Sequence, residues 1–200
     1  MNLDKSPPTN PYTPPHSSEI PSHLAPSTIY YVVSKRKFFT LFFATFSLYA
    51  FYWFYQQWSN WKIRTQDKIW PVPRALFNIF FTHSLFKKIH ADAKLVSNSP
   101  LPNLQLPATA FVVAQVTTNL LDKFLGDDQL PLSIGILVMM FGLISWCLWQ
   151  AQKQANIACG DNEGSQNNTF TAVNYVWLVL GVIWWLLILM GIFAILTGMA

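Results

Sequence analysis

Two stretches of this chain leave little choice about their surroundings. Leu130–Trp149 and Tyr175–Leu196 run for twenty and twenty-two residues without a charged side chain. A helix needs about 20 predominantly apolar residues to cross ~30 Å of hydrocarbon, so each stretch is predicted to span a bilayer. The composition agrees: only 11% of the residues are charged, against roughly 25% in a soluble domain. That leaves too little polar surface to cover a globule of this size. Aromatic residues make up 16% of the chain, with nine Trp and sixteen Phe, which suits a protein that meets lipid and headgroups.

Two weaker runs complete the expected set. Phe38–Trp61 is uncharged and ends in Tyr52, Trp53, Tyr55, Trp58 and Trp61, rings suited to an interface. Ala108–Phe124 is apolar but interrupted by polar residues. The predicted spans are therefore 38–58, 108–124, 130–149 and 175–197. Between Arg74 and Lys87 lies Ala75–Phe86, whose apolar residues point all round a helical wheel. Twelve residues rise only about 18 Å, which leaves a re-entrant helix or a short span with snorkelling flanks. A short embedded helix is expected over about 75–89, starting afresh near Pro73 because proline is tolerated in a first turn.

Residues 1–28 hold seven of the thirteen prolines and are expected to form a disordered tail, since such a segment buries too little to offset its ordering entropy. The tail lacks the apolar core of a signal peptide, so no cleavage is expected there. The membrane domain is expected over 29–200. Gly126-Asp127-Asp128 reads as the turn of a helical hairpin, and 150–173 as a solvent loop. The fold class is thus an all-α integral membrane protein, with about four transmembrane helices and one short embedded helix.

Orientation stays open. Four spans place eight of the thirteen Lys and Arg on the side of 58–106 and 150–173; a fifth span at Ala75–Phe86 places eight on the side of the tail instead. Lys35-Arg36-Lys37 directly before the first run favours a cytoplasmic N-terminus. The basic residues flank apolar runs, as membrane anchors do. No nucleic acid partner is implied, because there is no soluble domain to carry a binding patch.

Chemistry-bearing residues are few. Cys147 and Cys159 have no partner spacing and read as free thiols. His83 and His90 share a helix face, but two turns apart is about 10 Å, too far for one metal ion; headgroup or polar-face contacts fit better. Gln115, Thr118, Asn119 and Asp122 fall within about 100° of one helix face. Polar groups in a span are expected to face the bundle interior, where they line a path or bond neighbouring helices. Gly135 with Gly142, and Gly191 with Ala194 and Gly198, give small-residue faces for close helix packing, within the chain or in a homo- or hetero-oligomer. No nucleophile elbow, phosphate loop, dinucleotide fingerprint or paired carboxylate is present. No cofactor or metal is expected. Asn167-Asn168-Thr169 matches a glycosylation sequon that carries no weight by itself.

The pattern Thr45-x-Ser47-x-Tyr49-x-x-Tyr52-Trp53-x-Tyr55-x-x-Trp58 resembles the first helix of a family of bacterial membrane proteins of unknown function, written Thr-x-Gly-x-Tyr-x-x-Tyr-Trp-x-Tyr-x-x-Trp. Arg74 through Ile89 continues the resemblance, which covers about 34–90 closely and the later spans less so. Ser47 stands where the family has glycine. The resemblance implies a bacterial inner-membrane location and carries over no activity. Together these features lead to a non-enzymatic membrane accessory or scaffold protein that acts by binding a partner. The alternative is a small transporter or channel component lined by the Gln115–Asp122 stripe. An enzyme acting on lipid has least support.

Overall fold

Helices alone make up the regular structure. The computed structural model describes residues 29–124 and 130–197, with the side chains of 121–124, 130, 131 and 196 left aside. Among the described residues no strand occurs, and the elements are α1 (Lys35–Ala44), α2 (Leu48–Thr65), α3 (Pro71–Leu76), α4 (Asn78–Val96), α5 (Gln105–Phe124), α6 (Leu130–Ala158) and α7 (Ala172–Leu196). The tail 1–28, the Gly126-Asp127-Asp128 turn, Gly198 and the Asp122 side chain lie outside the described set.

Among the described residues two helices are long and apolar enough to cross a membrane: Leu132–Ala158 within α6 and Ala172–Ile195 within α7. The expected span 108–124 lies inside one unbroken helix, α5. The expected span 38–58 does not. It is split into α1 and α2 by a turn at 45–47, where Phe46 and Ser47 adopt φ of 51° and 66°. Thr45 makes the turn. Its hydroxyl donates to Leu41 O (2.8 Å), beside the Thr45 N–H that also reaches that carbonyl, and accepts from Tyr49 N (3.0 Å), where it replaces the helical carbonyl partner. The chain then doubles back. In one straight helix Gln57 would lie about 33 Å along the axis from Lys35, yet its amide bonds the backbone of Tyr31 just upstream. Hydropathy does not report this turn, because Thr, Phe and Ser are all tolerated in an apolar run.

The short embedded helix expected over 75–89 is longer and starts in two pieces. Pro71 opens α3 at a first-turn position, and a break at Phe77 leads into α4. Asn78, Thr82, Leu85, Phe86, Ile89 and Ala93 form one buried stripe along α4, at the spacing of a single helix face. Phe77 and Phe80 point out on other faces, which is why the wheel reads apolar all round.

The solvent loop expected at 150–173 begins too early. Helix α6 continues to Ala158, and Ala151, Gln152, Ala155 and Asn156 are completely buried. The polar residues there face α2 and the segment 29–34 rather than water. By contrast α7 stands nearly bare, with 6% of its most apolar stretch buried. It leans on α1 through a seam at Asn174, Leu178, Gly181 and Trp185, spaced three and four apart. Gly181 is obligatory in that seam: a Cβ there would lie 1.9 Å from Ala44 O.

Candidate functional site

Residues 29–34 form neither helix nor sheet, yet Tyr30 and Val33 are fully buried. Extended backbone buried among helices has N–H and C=O groups with no ladder to join, and each left unpaired costs about 1–3 kcal/mol. Side-chain amides supply the missing ladder. Gln57 accepts from Tyr31 N (3.0 Å) and donates to Tyr31 O (3.2 Å). One residue pair further on, Asn156 accepts from Val33 N (3.3 Å) and donates to Val33 O (3.1 Å). Asn167 donates to Val32 O (2.9 Å) from the opposite side. Each carboxamide acts as a short piece of neighbouring strand.

Gln152 ties these clamps together. It donates to Tyr31 O (2.9 Å) and Asn156 Oδ1 (2.6 Å), and accepts from Gln57 Nε2 (3.2 Å) and the Trp53 indole N–H. Its hydrogen-bonding capacity is filled, the condition under which a buried polar network adds order rather than cost. Gly164 closes the strap from above. Its φ is +69° and a Cβ would sit 2.3 Å from Val33 O, so no other residue fits. Asp161 holds that loop by accepting from Ser165 N (2.9 Å) and Gln166 N (2.8 Å). Partial burial pushes the Asp161 carboxyl up, but these backbone N–H groups outweigh it and leave the carboxyl below its ordinary range.

The strap's first residue adds an acid–base contact. Tyr30 Oη donates to Asp92 at 2.6 Å. Burial, and then the hydrogen bond and charge of Asp92, push the phenol above its usual range. Cys159 lies against Tyr30 O, and burial raises its thiol as well. Both cysteines are buried and free. A protonated, enclosed thiol is a packing group and not a nucleophile.

The predicted site residues fare differently. Gln115 and Thr118 are half-buried and Asn119 is exposed, so the stripe does not turn wholly inward as expected. Thr118 bonds Ala114 O and Asn119 bonds Gln115 O, satisfying themselves on their own helix. None of the three lines either of the clefts described below. A Cβ on Gly135, Gly142 or Gly191 would meet nothing within 4 Å, so among the described residues those positions are open. Ala194 is half-buried. The sequon residue Asn167 is occupied by Val32 and by the Lys37 ammonium, which donates to it at 2.6 Å.

Two clefts flank the network. One, about 330 Å³, lies between the α1–α2 turn and the start of α7, walled by Leu41, Leu48, Tyr49, Tyr52 and Trp177. The other, about 410 Å³, lies between α4 and the start of α5 and brings His83 and His90 together, as their shared face predicted. Among the described residues no group of three His, Cys, Asp or Glu is placed to hold a metal ion. The network residues Gln57, Gln152 and Asn156 were missed from sequence. Their signal was present: Gln152 and Asn156 are four apart at the end of an apolar run. No family model matches the chain, and comparison with curated proteins and with solved structures finds no match either.

Proposed function

We propose that this chain is a multi-pass membrane protein of a bacterial inner membrane and serves as a non-enzymatic accessory or scaffold subunit. In this reading α5, α6 and α7 cross the bilayer, while the α1–α2 hairpin enters from the strap side. The observation that carries it is the contrast in use of side chains. The buried carboxamides Gln57, Gln152 and Asn156 are engaged in holding the strap, whereas α7 and the first half of α6 offer uncovered apolar faces with open glycines. Lipid covers most of such a surface, and small residues let another helix approach closely.

The transporter reading has less beneath it, since Gln115, Thr118 and Asn119 line neither cleft. Photo-crosslinking residues at Leu137, beside the open Gly135–Gly142 face, and at Val182 on α7 test the proposal in intact membranes. The expected result is one discrete protein adduct at one of these positions. Lipid adducts alone at both would remove the partner. An Asp122→Asn protein that folds but fails to complement a deletion strain would instead promote transport.

A further inference from the structure

The 410 Å³ cleft between α4 and α5 has a chemistry that the strap network does not use. His83, Lys87 and His90 stand at i, i+4 and i+7 on α4 and line one wall, with Asn103 and Gln105 opposite. Among the described residues no carboxylate lines it. Phe86 and Leu104 floor it, each 1% exposed. The volume is within the roughly 300–1,000 Å³ of small-ligand sites.

Its polar groups are set rather than loose. His83 Nε2 meets Thr109 Oγ1 at 3.1 Å, and His90 Nδ1 meets Gln154 Oε1 at 2.8 Å. Gln154 Nε2 donates to Pro102 O (2.7 Å), which turns Oε1 toward His90 and makes Nδ1 the protonated nitrogen. Among the described residues each ring thus keeps one nitrogen without a partner. Lys87 is exposed at the rim and, among the described residues, makes no ion pair. With Thr109 donating to His83 Nε2, the free His83 Nδ1–H, an ammonium and two carboxamides with no opposing acid suit an oxyanion with several acceptor oxygens. His90 Nε2 joins them as a donor only when its ring is charged.

We propose that this cleft binds a phosphate group, and that an anionic phospholipid headgroup carries it. The lipid source follows from depth. Gln154 and Pro102 place the cleft at the last turns of the apolar helix Leu132–Ala158, where headgroups lie if α6 spans. The lipid source therefore rests on the membrane reading; the phosphate site does not.

The full chain in mild detergent, titrated with phosphatidylglycerol or phosphatidylcholine and read by native mass spectrometry, tests it. Phosphatidylglycerol should be retained about tenfold more tightly, and Lys87→Gln should cut that preference to about twofold. Lys94→Gln, an exposed lysine of α4 outside the cleft, should leave it unchanged. Equal retention of the two lipids by the wild-type chain, or equal loss in both variants, overturns the site. Inorganic phosphate binding as tightly as the lipid, and lost in Lys87→Gln, overturns the lipid source alone. Release of the chain from membranes by alkaline carbonate would sink the membrane reading, and Lys87-dependent phosphate binding would survive that result.

Discussion

The second half of α6 and the whole of α7 are both continuous helix, but they answer to different surroundings. From Ile144 onward α6 is buried against the bundle and carries Ser145, Gln152, Gln154 and Asn156 inside it. Helix α7 is uniformly apolar and almost uncovered, with Val179, Val182, Leu186 and Leu189 all more than half exposed. In α6 stability comes from directional bonds to a particular strap. In α7 it comes from the surrounding medium and one seam with α1. Polar residues in an apolar helix therefore mark where this chain is specific, and their absence marks where it is exchangeable.

The sharpest break of that comparison is Asn156→Leu. It strands Val33 N and Val33 O inside the protein and removes an acceptor from Gln152. At about 1–3 kcal/mol per buried unpaired group, the loss should be on the order of 4 kcal/mol, a large part of the roughly 5–15 kcal/mol that folds a domain. Val182→Ala on α7 should change stability by less than about 0.5 kcal/mol. Thermal unfolding in detergent compares the two; equal shifts would erase the distinction.

The α1–α7 seam should be the second most sensitive place. Gly181→Leu drives a side chain into the Ala44 backbone, at about 1–3 kcal/mol for overpacking. It also pulls Trp185 Nε1 from Phe43 O, a 2.9 Å bond. Gly181→Leu and Trp185→Phe should be less than additive, whereas Gly181→Leu and Tyr30→Phe should add. Strict additivity of the first pair would mean that α7 does not dock as a unit.

How legible this was depends on which force made each element. Helices α6 and α7 are written in hydropathy, a signal summed over some twenty residues and hard to hide. The pairing of His83 with His90 is written in helical period. The α1–α2 turn is not, because it depends on one Thr hydroxyl and two left-handed residues inside a run that looks continuous. The strap was hidden for a related reason. Tyr30–Ser34 has no periodicity of its own, and the residues that hold it, Gln57, Gln152, Asn156 and Asn167, come from distant parts of the chain. Orphaned backbone is solved by long-range partners, and one sequence does not say which. The glycine faces were legible as small-residue faces, and among the described residues Gly135, Gly142 and Gly191 have open space where a Cβ would stand.

The strap end also predicts a pH response that α7 lacks. Burial, with the Asp92 hydrogen bond behind it, raises the Tyr30 phenol above its ordinary range. The neutral form is then favoured in the folded chain, so the contribution is complete below the unfolded pKa of about 10 and is lost as pH rises beyond it. One such proton changes stability by at most about 1.4 kcal/mol per pH unit. Tyr30→Phe should flatten part of the decline above about pH 10 and cost about 1 kcal/mol at neutral pH. Tyr31, raised by burial in the same strap, keeps the remainder. An alkaline decline unchanged in Tyr30→Phe would show that the phenol does not titrate with unfolding.

The smallest effect tests the turn that separates the polar end from the apolar one. Ser47 has φ of 66° and its side chain makes no capping bond, so it bears the left-handed strain without compensation. A non-glycine residue there costs roughly 1–2 kcal/mol, and glycine removes that cost while loosening the unfolded chain by about 0.5–1 kcal/mol. Ser47→Gly should therefore stabilise by a net of about 0.5 kcal/mol, and Ser47→Ala, which keeps the Cβ, should not. A straight helix through 38–58 would respond in the opposite sense, since glycine in a helix interior costs about 1 kcal/mol relative to alanine. Melting temperatures of the two variants thus decide between a hairpin and a single span: glycine above alanine keeps the turn, and alanine above glycine abolishes it.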